Sequence, residues 1–179
     1  NQMLRAPGLR DRIRVTADGG LKTGRDVAVA AALGAEEYVF GTASLVSAGC
    51  VMARICHTNN CPTGVATQDP DMRDRFRGTP EMVANYLTFV ARELREITAE
   101  LGYTSVDDLI GRVEHLSDSD TDHPKGRLID LSRLLAEPAG DTRFRTREQD
   151  APDMSLDESV LAAADAAVED REAVSVSRD

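Results

Sequence analysis

Two apolar runs separated by one short helical pattern fix the topology of the N-terminal part of this chain. The first, IRVTA at residues 13–17, ends in Asp18-Gly19-Gly20. The second, EYVFGTASLV at residues 37–46, reads as a buried strand with a Gly41-Thr42 break inside it. Between them Thr23 stands as an N-cap, with Asp26 three residues on in the capping-box position. Val27, Val29, Ala30 and Leu33 are the apolar positions of the helix, and Gly34 is placed to end it in the left-handed conformation. Strand, helix, strand over about 30 residues is a βα unit, which implies a parallel sheet and an α/β fold.

Each glycine turn then falls at the C-terminal end of a strand. Glycine lets backbone N–H groups approach an anion, and a helix N-terminus just beyond adds a favourable dipole. In (β/α)8 barrels the loops after the last two strands often hold a phosphate in this way. Gly19, Gly20, Gly41 and Thr42 are therefore candidate phosphate contacts. The plainer alternative stays open, because turns carry glycines for conformational reasons alone.

All three cysteines of the chain lie in CVMARICHTNNCP: Cys50, Cys56 and Cys61, with five and then four residues between them. A zinc site needs four ligands, usually as two close pairs. His57 could be the fourth, but it is adjacent to Cys56, and two neighbours are awkward to aim at one ion. An iron–sulfur cluster takes thiolates, four for a full cubane. A cluster with three irons needs three. Three inert, unrelated cysteines are the remaining alternative. The segment shows no period of 2 or 3.6 and is expected to be an ordered loop.

Residues 80–101 carry the clearest helix signal. Thr79 is its cap, Pro80 suits its first position and Gly102 ends it. Val83, Tyr86, Leu87, Val90, Leu94, Ile97 and Leu101 form one apolar face. A shorter helix is expected from Ser105, with Asp108 in the capping-box position, through Leu109, Ile110 and Val113. After Leu116 the composition shifts. Residues 117–179 hold 16 acidic and 8 basic side chains, against 15 and 13 in the first 116. SDSDTDHPKG reads as a linker, with RLIDLSRLL and SLDESVLAAADAAV as two structured-looking pieces beyond it. The net charge of −10 argues against nucleic acid as a partner. No run approaches the roughly 18 apolar residues of a membrane span. The polar opening NQMLRAPGLR lacks the apolar core of a signal peptide. Three clustered cysteines do not suggest a disulfide framework, so a reducing, cytoplasmic setting is expected.

DGGLKTGRDVAVAAALGAEEYVFGTASLV followed by CVMARICHTNNCPTGVATQ closely resembles the large chain of glutamate synthase, from about Ile13 to Leu116. ARICHTNNCP is nearest the ferredoxin-dependent branch, with Thr63 in place of a more usual Val. The resemblance implies an enzyme in which glutamine-derived ammonia condenses with 2-oxoglutarate and reduced FMN converts the imine to glutamate. A 3Fe-4S cluster relays electrons from ferredoxin or from an NADPH-dependent flavoprotein subunit. Carried over by position, Cys50, Cys56 and Cys61 would bind the cluster, and Gly19, Gly20, Gly41 and Thr42 would line the FMN phosphate.

The same resemblance implies a domain reading. Residues 1–49 would be the last two βα units of an FMN-binding barrel. Residues 50–116 would be the cluster loop and following helices, and 117–179 an acidic linker and the start of a C-terminal β-helix domain. Two strands cannot close a barrel, so the isolated chain is expected to be neither stable nor catalytic. A stand-alone iron–sulfur electron-transfer module is the alternative function. A relative of IMP dehydrogenase would explain the glycine turns but leave the cysteine spacing without a purpose.

Overall fold

The computed structural model describes residues 1–5, 7–118, 122–137 and 139–144, together with 158, 160–162 and 164. The backbone divides into two compact units, residues 1–146 and 147–179. In the second unit the described residues are helical. They cover only a few positions of SLDESVLAAADAAV, and the rest of that piece lies outside the described residues. Among the described residues no helix is long and apolar enough to cross a membrane.

The first unit opens with a short helix α1 (Gln2–Arg5), and strand β1 (Thr16–Ala17) follows. Helix α2 (Gly24–Ala32) crosses over to β2 (Glu37–Tyr38), and the strands pair in parallel, Thr16 beside Glu37 and Ala17 beside Tyr38. The capping box is complete: Thr23 accepts from the Asp26 amide, while the Asp26 carboxylate accepts from the amides of Lys22 and Thr23. At the other end Gly34 has φ +107°, and the amides of Gly34 and Ala35 return to the carbonyls of Ala31 and Ala30. That double bond pattern stops the helix and turns the chain into β2.

The Lys22 amide is the main reason the Asp26 carboxyl titrates below its ordinary 3.8; Thr23 adds to this and burial opposes it. A lowered carboxyl contributes stability above its unfolded pKa and loses it as pH falls through the folded value, here below 3.8. Asp26→Ala should cost α2 about 1 kcal/mol. Amide exchange of Val27–Ala32 at neutral pH should then quicken about fivefold. The gap to the unaltered protein should narrow under strong acid, and a gap that widens there would contradict the cap.

The second expected strand is corrected after Val39. Residues 42–47 form helix α3 (Thr42–Ser47), not a continuation of the sheet. Gly41 is its N-cap, and the Ser44 and Ser47 hydroxyls close onto the carbonyls of Phe40 and Ser44. Helices α4 (Pro70–Arg73) and α5 (Pro80–Glu100) follow the cysteine loop. Thr79 occupies the N-cap of α5, but its hydroxyl accepts no backbone bond. It bonds the Glu81 carboxylate instead, holding that group below its usual range.

The core lies between α2 and α5. Ala28, Ala31 and Ala32 bury against Leu109, with Leu94, Ile97, Tyr38 and Tyr103 around them. The small residues let the two backbones approach. A Cβ at Gly24 would collide with the Leu94 amide and stand 2.7 Å from the Val90 carbonyl oxygen. The expected stripe on α5 is only half covered: Val90 is buried, while Leu87 and Leu101 are exposed. The helix from Ser105 is also shorter than expected. It forms α6 (Val106–Leu109), capped by Ser105 on the Asp107 amide. It stops because Gly111, at φ +76°, sends its amide to the Ala31 carbonyl. RLIDLSRLL gives one 3-10 turn, Gly126–Leu128, with Leu128 and Ile129 exposed.

Arg10 is wholly buried and pairs with Glu36 at 2.9 Å. Its guanidinium also donates to Asn1 Oδ1 and to the carbonyls of Ile13 and Gly34. Glu36 in turn accepts from the amides of Val15 and Phe144. One ion pair thereby joins the approach to β1, the end of α2 and the far segment 139–144.

Candidate functional site

The two glycine turns, 22 positions apart in sequence, meet on one open hollow of about 950 Å³, a volume within the usual range for ligand sites. Gly19, Gly20, Gly41 and Thr42 all line it, together with Asp18, Lys22, Met52, Arg54 and Tyr86. Gly20 has φ +89°, so its backbone alone accounts for glycine. Gly41 differs. Its φ is −82°, and a Cβ there would meet nothing within 4 Å. Nothing among the described residues requires glycine at 41, and Gly41 lines the hollow.

The amides available to an anion are not those that the α2 dipole argument expects. Lys22 and Thr23 donate to Asp26, Gly24 donates to Glu93, and Gly19 donates to Asp18. The start of α2 is thus already occupied by carboxylates. The first-turn amides of α3 at Thr42 and Ala43 have no intrahelical partner. Lys22 and Arg54 bring two cations to the same hollow. The Tyr86 hydroxyl donates to the Lys22 carbonyl at 2.6 Å, and its ring meets Phe40 edge-on. Tyr86 therefore fixes the first turn from α5. Lys22, Met52, Arg54 and Tyr86 were not anticipated as lining residues. Only Lys22, one of two lysines in the chain, gives any signal in sequence.

The cysteine segment is a loop, as expected, with a single 3-10 turn at Cys56–Thr58. Cys50, Cys56 and Cys61 line one small hollow with Arg54 and Thr63, and all three are free thiols. Cys61 is buried, Cys50 half-buried and Cys56 exposed. The amide of Ala66, with the Thr63 hydroxyl and the amides of Thr63 and Val65, lowers the Cys61 thiol to about 7. Cys50 accepts from the Met52 amide at 3.4 Å, with the Met52 thioether 3.9 Å away. The hollow has room for about one water molecule (about 10 Å³). Among the described residues no three His, Cys, Asp or Glu side chains are placed to hold one metal ion. His57 is exposed. Three thiols on one loop could serve a cluster in which each takes its own iron, whereas a single tetrahedral zinc wants four ligands.

Met52 and Arg54 adopt φ +56° and +60°, and Asn59 φ +58°. Left-handed backbone is uncommon outside glycine, costs about 1–3 kcal/mol at each position, and clusters at functional sites. Two of the three residues stand where the hollows adjoin.

A parallel βα pair whose glycine turns share a hollow with a three-cysteine loop defines an α/β segment. Residues 1–104 match the family model described as the conserved region in glutamate synthase, and the chain belongs to that family. It is 46% identical over 172 residues to the glutamate synthase (NADPH) large chain of Bacillus subtilis, covering 94% of this chain and 11% of that protein. It is 48% identical over 166 residues to ferredoxin-dependent glutamate synthase 1 of Arabidopsis thaliana, covering 90% of this chain and 10% of that one. With ferredoxin-dependent glutamate synthase 2 of Synechocystis sp. the identity is 53% over 131 residues, 73% of this chain and 8% of the relative. The chain thus spans about a tenth of these relatives' length, and both branches occur among them.

Proposed function

We propose that this chain supplies the flavin-phosphate cradle and the iron–sulfur loop of a glutamate synthase, at the C-terminal end of its (β/α)8 barrel. One observation carries the reading: both glycine turns open on a hollow whose wall is formed by Met52 and Arg54, from the loop that bears the three cysteines. FMN bound there would supply the hydride that converts the imine of 2-oxoglutarate and glutamine-derived ammonia to glutamate, with a 3Fe-4S cluster supplying electrons from ferredoxin or an NADPH-dependent partner.

The chain's own residues would bind and orient. The Thr42 and Ala43 amides and the Lys22 and Arg54 cations would hold a phosphate beside Gly41. Cys50, Cys56 and Cys61 would hold the cluster, and the amides around Cys61 favour its thiolate at neutral pH. Tyr86 holds the Gly20–Lys22 turn in place through the Lys22 carbonyl.

Gly41→Val tests the cradle, because the chain itself accommodates a side chain there. In the full-length enzyme, flavin affinity should fall about tenfold or more, by the overlap of a methyl-bearing side chain with its ligand. Iron content should stay unchanged. Undiminished flavin affinity would place the phosphate elsewhere.

A further inference from the structure

The two hollows share one lining residue, Arg54. Its side chain lines both the glycine-turn hollow and the cysteine hollow. Met52, two residues earlier, lines the first hollow and touches the Cys50 sulfur of the second. The left-handed backbone at both positions aims this strap at the boundary. Among the described residues no carboxylate lies within ion-pair distance of Arg54. Its charge is therefore not neutralised by a neighbour, and a guanidinium stays protonated at any working pH.

We infer that Arg54 is a shared electrostatic tuner, raising the reduction potentials of both the flavin and the cluster from one position. The inference rests on the flavin-and-cluster reading above. Adding an electron to either group adds negative charge beside the same cation; Arg54 is exposed, but a residue lining both hollows lies within the roughly 10 Å Debye length of a group in either. Removing the cation should make both groups harder to reduce. The Met52 contact to Cys50 fixes the strap relative to the thiolate, so the cation keeps its place between the two groups.

The test is a redox titration of the full-length synthase, following flavin absorbance and the paramagnetic signal of the cluster. Arg54→Asn removes the charge and suits a left-handed backbone. The reduction equilibrium of each group should fall about tenfold, which is about 59 mV for the one-electron cluster and about 30 mV for the two-electron flavin. Arg54→Lys, which keeps the charge, should leave both potentials near their unaltered values. A shift in only one group, in neither, or as large in R54K as in R54N overturns the inference. Should R54N lose one group, the potential of the other decides: lowered supports the shared role, unmoved refutes it. Absence of flavin or cluster from the unaltered enzyme would instead defeat the underlying reading, and this one with it.

Discussion

Replacing Cys56 by serine in the full-length synthase should abolish the three-iron paramagnetic signal and cut glutamate formation with the native electron donor at least about a hundredfold. Loss of an outer-shell partner already costs a metal site about 10–100-fold, and on the proposed assignment Cys56→Ser would remove a direct ligand. Cys56 is the informative choice because it is exposed. Cys50→Ser and Cys61→Ser should lose the signal too. Cys61→Ser should also perturb the loop, since its sulfur is buried against the Thr63–Ala66 amides. Flavin should remain bound in C56S, because Cys56 does not line the glycine-turn hollow. His57→Ala should leave iron content unaltered. Retention of the signal in C56S, or recovery of zinc in place of iron, would contradict the assignment.

The second large effect concerns stability. Arg10→Met should destabilise the first unit by about 3–5 kcal/mol, because it leaves the Glu36 carboxylate, only 12% exposed, without its countercharge. Glu36 cannot simply be made apolar in turn. Its carboxylate also accepts from the amides of Val15 and Phe144, at 3.2 and 2.6 Å. Glu36→Gln removes the stranded charge and keeps an oxygen for one of the two amides, which bond different carboxylate oxygens. The double variant R10M/E36Q should therefore be more stable than R10M alone, which distinguishes buried charge from lost packing. Protease susceptibility across a urea series, scored by cleavage within residues 1–144, measures both. A cost for R10M under about 1 kcal/mol would mean that the pair holds little.

Much of the scaffold is written in local chemistry. Thr23, Asp26 and Gly34 bound α2 where capping rules place them, and Pro80 and Gly102 do the same for α5. The parallel pairing follows from one helix between two short runs. Three of the failures share a cause, which is distance along the chain. The start of α2 is closed to an anion by Glu93, 69 positions away. The helix after Ser105 is cut short because Gly111 docks on Ala31. Arg10 looks like any surface arginine until Glu36 and Gly34 surround it. EYVFGTASLV reads as strand throughout by its apolar character, yet Gly41 converts its second half to α3. At the site, glycines and cysteines announce themselves by residue type. Met52 and Arg54 do not, because neither side chain favours the left-handed backbone they adopt.

The cysteine loop also carries its own clasp. Asn59, in the left-handed conformation, accepts from the Thr67 hydroxyl through both its carbonyl and its side chain, and from the Gln68 amide. Gly64 closes against α4, where a Cβ would strike the Met72 carbonyl. For a protein engineer, residues 50–76 are accordingly a cassette. Apart from the Cys50 amide, which donates to the Leu45 carbonyl, the hydrogen bonds that shape the loop begin and end within it among the described residues, so what a host scaffold must provide is a helix end and a place to rest α4.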